Sequence, residues 1–300
     1  MLQNNQLLEL QHTIADSITI TGIGVHFGRS ISLKLHPATE GVGILFKLVQ
    51  SGKVCDSVLA SWSNVVGTNL STILGSSSYK IHTTEHLMAA LHAYGIDNVI
   101  IEMDESEVPI MDGSALAFVE GIERVGIKAL QAKRRFMRIL KPVRVKNGDS
   151  WAEFIPCDTA RFEISIQFKS KLIGFQKWEG NLTKQVFRDE ICAARTFGFL
   201  QDVDQYRQAG YALGSSLENS IVISADDQII NDEGLRYSGE EFVRHKTLDA
   251  IGDIALSGNR LIGCYRSHRV SHKINYMALC ALFADKNAYE IVEDYVYPDK

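Results

Sequence analysis

The sequence predicts an α+β protein of two domains of similar size, on three observations. Alternating polar and apolar segments, the mark of strands, are interspersed with helical segments without strict βαβ alternation. The 300 residues suffice for one large or two medium domains, each with ample core. A short charged stretch, Gln131-Ala-Lys-Arg-Arg135, is the best linker candidate and divides the chain into residues 1–130 and 131–300.

Taken in order, Ser17–Thr21 and Ser30–Leu35 alternate as two strands around a turn at Gly22–Gly28. Thr83 or Thr84 can cap a helix that runs to about Tyr94 and stops at Gly95. Asn98–Met103 reads as a buried strand, Asp112-Gly113 as a turn, and Ser114 opens a helix through about Val125. Beyond the linker, strands are expected at Phe136–Ile139, Val143–Val145, Trp151–Ile155 and Phe162–Phe168. Gly174–Thr183 reads as polar and irregular, and Ser220–Ser224 as another strand. A helix from about Glu240 to Leu256, a strand or loop at Arg260–Ser267 and a helix over about Lys273–Ala284 complete the pattern. No repeat or low-complexity segment interrupts it.

Composition narrows the function classes. With 45% hydrophobic and 22% charged residues the chain is an ordinary globular one, neither disordered nor fibrous. A net charge of −5 gives no reason to expect nucleic-acid binding, so an anionic ligand would need a local basic cluster. The polar start lacks signal-peptide architecture and no apolar run is long enough to span a membrane. Five scattered cysteines without Cys-x-x-Cys spacing read as thiols in a reducing compartment. The expectation is a cytoplasmic protein.

The segment Glu241–Asp253 is the most informative. On a helix His245, Asp249 and Asp253 recur every four residues and project from one face, which also carries Leu256 and so packs inward. An imidazole and two carboxylates are costly to bury unless a metal or a hydrogen-bond network satisfies them. His-x-x-x-Asp spacing lets two ligands approach one ion, although such a pair is more often an exposed hydrogen-bonded pair. Asp253 strengthens the metal reading, or holds a histidine in one tautomer. Upstream, Glu85 and His86 point about 100° apart on a helix, an arrangement that suits one ligand beside one water-activating base. The duller reading is a helix-start glutamate.

Two other patterns are misleading. His82-Thr-Thr-Glu-His86 matches the inverted zinc-peptidase signature, but Thr83 and Thr84 are better helix caps than interior residues, which puts His82 before the helix. Gly22-x-Gly24-x-x-x-Gly28 echoes a dinucleotide loop, yet a strand follows it rather than a helix. His26 within that turn is a candidate substrate-binding residue or merely a turn histidine.

Read together, Ile81-His-Thr-Thr-Glu-His-Leu-Met-Ala-Ala-Leu91 and Glu241–Asp253 resemble the UDP-3-O-acyl-N-acetylglucosamine deacetylases (LpxC). Further matching blocks are Thr21–His26, Gly95–Asn98, Val108–Ala115, Trp151–Phe154 and Ala194–Phe199, in order over nearly the whole chain. The resemblance implies two similar α+β domains whose helices are sandwiched between two sheets. It implies zinc-dependent removal of the acetyl group from an acylated UDP-GlcNAc, the committed step of lipid A synthesis in Gram-negative bacteria. By motif, His86, His245 and Asp249 would be the zinc ligands and Glu85 the general base. His272 would be the acid, oriented by Asp253, and Thr196 would donate to the developing oxyanion. Lys246 would hold polar groups of the substrate, while Phe168, Phe197 and Val203 would line the acyl-chain passage. The chain departs from the pattern at Ser150, where a lysine is expected; Lys146, Lys169 or Arg144 could take its place. A monomer is the expected state. The rival readings are an inverted-motif zinc peptidase and a non-catalytic sugar-nucleotide-binding protein.

Overall fold

A computed structural model describes residues 9–76 and 78–295. The six α-helices among these residues are α1 (Glu85–Ala93), α2 (Leu116–Val125), the short α3 (Lys184–Val186), α4 (Leu200–Gln208), α5 (Glu241–Ala255) and α6 (His272–Ala284). The first large sheet has the order Ile18–Ile23, Ser30–Pro37, Val99–Met103, Ile44–Gln50, Lys53–Leu59, antiparallel except for Ile44–Gln50 beside Val99–Met103. The second, seven-stranded sheet is built around Arg260–His268, which pairs with Ser150–Ile155, Phe136–Ile139 and Ala160–Gln167.

Helices α1, α2, α5 and α6 lie between these sheets. Helix α2 packs on the first sheet and on α1, α5 and α6 pack on the second, and α1 and α5 meet across the middle. Fully buried Phe46 and Phe118 on one side and Phe154, Phe162, Phe242 and Tyr265 on the other join one continuous core. Each such ring contributes about 1.5–3 kcal/mol by leaving water.

Most expected elements are present, and three differ. Gly174–Thr183 contains a strand, Phe175–Asn181, paired antiparallel with Ala160–Gln167. It is bonded to that one neighbour alone and buries only Trp178, so its alternation is too shallow to read. The expected linker is ordered: Ile127–Lys133 pairs with Leu10–Ile14, and Arg134 is buried against Glu9 and Asp97. Thr84 holds the N-cap position of α1, but its hydroxyl donates to the Thr72 carbonyl (3.2 Å) instead of capping the helix.

Candidate active site

Two helices that approach unusually closely build the site. Glu85 and His86 open α1 and are buried, and the first turn of α1 lies directly on α5. Gly252 permits this, because a Cβ there would fall 2.0 Å from the Glu85 carbonyl oxygen. On α5, His245, Asp249 and Asp253 are all buried, as a four-residue stripe facing α1 and α6 requires.

His86, His245 and Asp249 come together. Nε2 of His86 lies 3.5 Å and Nε2 of His245 3.4 Å from Oδ1 of Asp249. Burial pushes His245 down to about 3, so its ring is neutral. Its Nδ1 lies 3.0 Å from the Ala194 carbonyl, which can only accept, so Nδ1 carries the proton and the Nε2 lone pair faces inward. Oδ1 of Asp249 is buried without a hydrogen-bond partner, while Oδ2 accepts from Lys246 Nζ (2.8 Å). Burial alone would raise the Asp249 carboxyl, but its neighbours, the charged Lys246 among them, outweigh it and hold the group well below its ordinary range. A buried carboxylate oxygen without a donor, flanked by two imidazole nitrogens, is costly unless a cation accepts it. The three ligand atoms lie within 4.8 Å of one another, and this N/N/O set suits a divalent metal.

A second buried pair, Glu85 and His272, adjoins these three groups. Oε2 of Glu85 accepts the Thr72 backbone N–H (3.1 Å), while Oε1 lies 3.7 Å from Nε2 of His272. Burial raises the Glu85 carboxyl, as suits a base working near neutral pH. His272 begins α6 behind the cap residue Ser271. Its Nδ1 is 2.9 Å from Oδ2 of Asp253, which also accepts from Asn275 (2.8 Å), while Oδ1 accepts from the Thr72 hydroxyl. Burial would lower His272, but Asp253 and then Glu85 prevail and raise it to about 9, so it is charged at neutral pH.

The third wall comes from the Ala194–Phe199 segment. Arg195 is fully buried and binds Glu241 of the first turn of α5 through its backbone N–H (3.0 Å) and Nε (2.8 Å). This pair fixes the Ala194 carbonyl under His245 and turns Thr196 and Phe197 toward a cavity of about 150 Å³. All the sequence-predicted site residues line this cavity except Asp253 and Phe168. Asp253 stands behind His272, and Phe168 packs edge-on against Phe197 (5.5 Å) and lines a second cavity of about 690 Å³ that none of His86, His245 and Asp249 lines. His82 belongs to no metal-binding group among the described residues; its ring packs on Phe27 (4.9 Å).

The LpxC family model, described as UDP-3-O-acyl N-acetylglycosamine deacetylase, matches residues 11–284. Relatives from Brucella ovis, Brucella canis and Brucella suis, each named UDP-3-O-acyl-N-acetylglucosamine deacetylase, are 48% identical over 286 residues, covering 94% of this chain and 98% of theirs. The chain belongs to the LpxC family.

Within this LpxC chain several supporting residues have no signal in the sequence. Thr72 touches both Glu85 and Asp253, Asn275 links Asp253 to the Tyr265 hydroxyl, and Arg195 locks onto Glu241. At the departure from the family pattern, Ser150 donates to the Arg269 carbonyl, and Arg144 stacks over Trp151 at 4.2 Å. No described helix of this LpxC chain is long and apolar enough to cross a membrane.

Proposed function

We propose that this chain hydrolyses the acetamide of UDP-3-O-acyl-N-acetylglucosamine to the free amine and acetate, within lipid A biosynthesis. Its family membership supports the substrate class. The observation that carries the chemistry is the buried Glu85–His272 pair beside the His86/His245/Asp249 group in one cavity. His86, His245 and Asp249 would hold the metal, with zinc as the proposed ion. Zinc bound there supplies Lewis acidity toward the amide carbonyl and makes water acidic enough to act at neutral pH.

The protein's own groups then divide the work. Oε1 of Glu85 takes a proton from the attacking water, its other oxygen being held by the Thr72 N–H. Nε2 of His272 delivers a proton to the departing amine nitrogen, which must be protonated to leave. Asp253 orients His272 by accepting from Nδ1 and favours its charged form. Thr196 donates to the oxygen on which negative charge develops, a contribution of typically ~3 kcal/mol. Lys246 holds polar groups of the substrate. Phe197, Val203 and His26 guide the acyl chain, with Phe168 supporting Phe197 from behind. The cytoplasm is the proposed compartment, and a monomer the proposed state.

The test is direct. Purified enzyme with zinc should release acetate from the acylated UDP-GlcNAc, and Glu85→Gln and His272→Ala should each lower kcat by about a hundredfold or more. Undiminished turnover in both variants would sink these assignments. Acetate release failing in the zinc-loaded wild type would sink the activity itself.

A further inference from the structure

Glu107 is a buried carboxylate beside the cavity that the proton transfers do not use. Its Oε1 accepts the His26 N–H (2.8 Å) and the Thr83 hydroxyl (3.2 Å), and its Oε2 accepts the Phe27 N–H (3.0 Å). Two parts of the site therefore meet on one side chain: the Gly22–Gly28 turn and the entry to α1, two residues before Glu85. The turn extends the connection, since the His26 and Val25 carbonyls accept the N–H groups of Leu213 (2.9 Å) and Gly214 (3.1 Å). Val25, His26, Thr83 and Ala212 all line the cavity.

Two further features show how closely the chain is fitted around this carboxylate. A Cβ on Gly24 would lie 2.1 Å from Oε2 of Glu107, so any side chain there must displace the carboxylate. Thr83 adopts φ 60°, a left-handed conformation that a β-branched residue holds only when its surroundings impose it. Its bond to Glu107 is one such constraint.

We infer that Glu107 is a positioning residue: it sets the distance between the wall carrying Val25 and Ala212 and the α1 side of the cavity, and so governs how the substrate's acyl chain is held. This inference rests on the deacetylase reading. In Glu107→Gln the amide NH2 faces backbone donors, so at least one bond to the turn is lost while the size of the side chain is kept.

The experiment compares kcat and KM of wild type and Glu107→Gln on acylated UDP-GlcNAc carrying a long and a very short acyl chain. The expected result is a KM about five- to tenfold higher for the long-chain substrate, with kcat and the short-chain kinetics within about twofold and bound metal unchanged. Gly24→Ala displaces the same carboxylate from the other side and should give the same selective rise. A loss shared equally by both substrates, a loss confined to kcat, or a Gly24→Ala enzyme with normal long-chain KM overturns the inference. If the wild type releases no acetate, the deacetylase reading fails instead. The Glu107 link is then read by amide exchange: protection at residues 25–27 and 213–214 must fall in Glu107→Gln, and unchanged protection overturns it.

Discussion

Replacing Asp253 with Asn tests the electrostatics of His272, the proposed acid, directly. In the wild type, burial works against the charge on His272, and Asp253, Glu85 and Asp249 raise its value to about 9 from an ordinary 6.5. That gap corresponds to at most ~3 kcal/mol of preference for the protonated folded state. The sign follows from linkage. A raised folded value stabilises fully below pH 6.5 and is lost as pH rises through about 9. His245 acts oppositely: its folded value near 3 makes stability fall as pH drops from 6.5 toward 3. The combined contribution of these two histidines in the metal-free protein is therefore greatest near pH 6.5. Asp253→Asn removes the largest of the raising neighbours, so burial should bring His272 down toward its ordinary value. The assay is an NMR titration of the histidine ring carbons in metal-free protein, paired with thermal melts at pH 6.5 and 9. The variant should lose most of the melting difference between those two pH values. A His272 that still titrates near 9 in the variant, or near 6.5 in the wild type, refutes the reasoning.

Other outcomes are as concrete. Alanine at His86, His245 or Asp249 should lower metal affinity at least about tenfold, whereas His82→Gln should bind the wild-type amount by atomic absorption; loss of metal in His82→Gln would revive the peptidase reading. Gly252→Ala must push α1 off α5, at a cost of about 1–3 kcal/mol in urea unfolding and with weaker metal binding; normal stability and binding together would show that the close approach is dispensable. Arg195→Met leaves Glu241 buried without its main partner and should cost about 3–5 kcal/mol by the same method. A loss under ~1 kcal/mol would mean that the pair is not what fixes the Ala194–Phe199 wall.

The legible parts of the site were those with a period. His245, Asp249 and Asp253 could be grouped because a helix repeats every 3.6 residues and their burial needed a chemical reason. Glu85 and His86 followed because adjacent helical residues diverge, separating a ligand from a base. Contacts between distant segments carry no such signature: Thr72 reaches Asp253 across 181 residues, and Arg195 reaches Glu241 across 46. His272 has a role only through the family resemblance, because its partners Asp253 and Glu85 belong to other helices. In the fold the same rule holds. Strands with a buried face, such as Ala160–Gln167, show clean alternation, whereas the edge strand Phe175–Asn181 shows only Trp178.

The charges around the cavity explain why these groups tolerate burial together. Three carboxylates, Glu85, Asp249 and Asp253, lie close to two cations, Lys246 and His272, while His245 is kept neutral by burial. Counted as ionised, three carboxylates against two cations leave one negative charge in excess, and Oδ1 of Asp249 is an oxygen there without a donor. A divalent cation among His86, His245 and Asp249 would turn that excess into one positive charge. The same step would satisfy the unpaired oxygen and favour a substrate or transition state carrying negative charge at that point. The division of α5 into two roles follows from this balance. Asp249 contributes the oxygen without a donor, whereas Asp253, four residues on, has both oxygens occupied by Thr72, His272 and Asn275 and so holds His272.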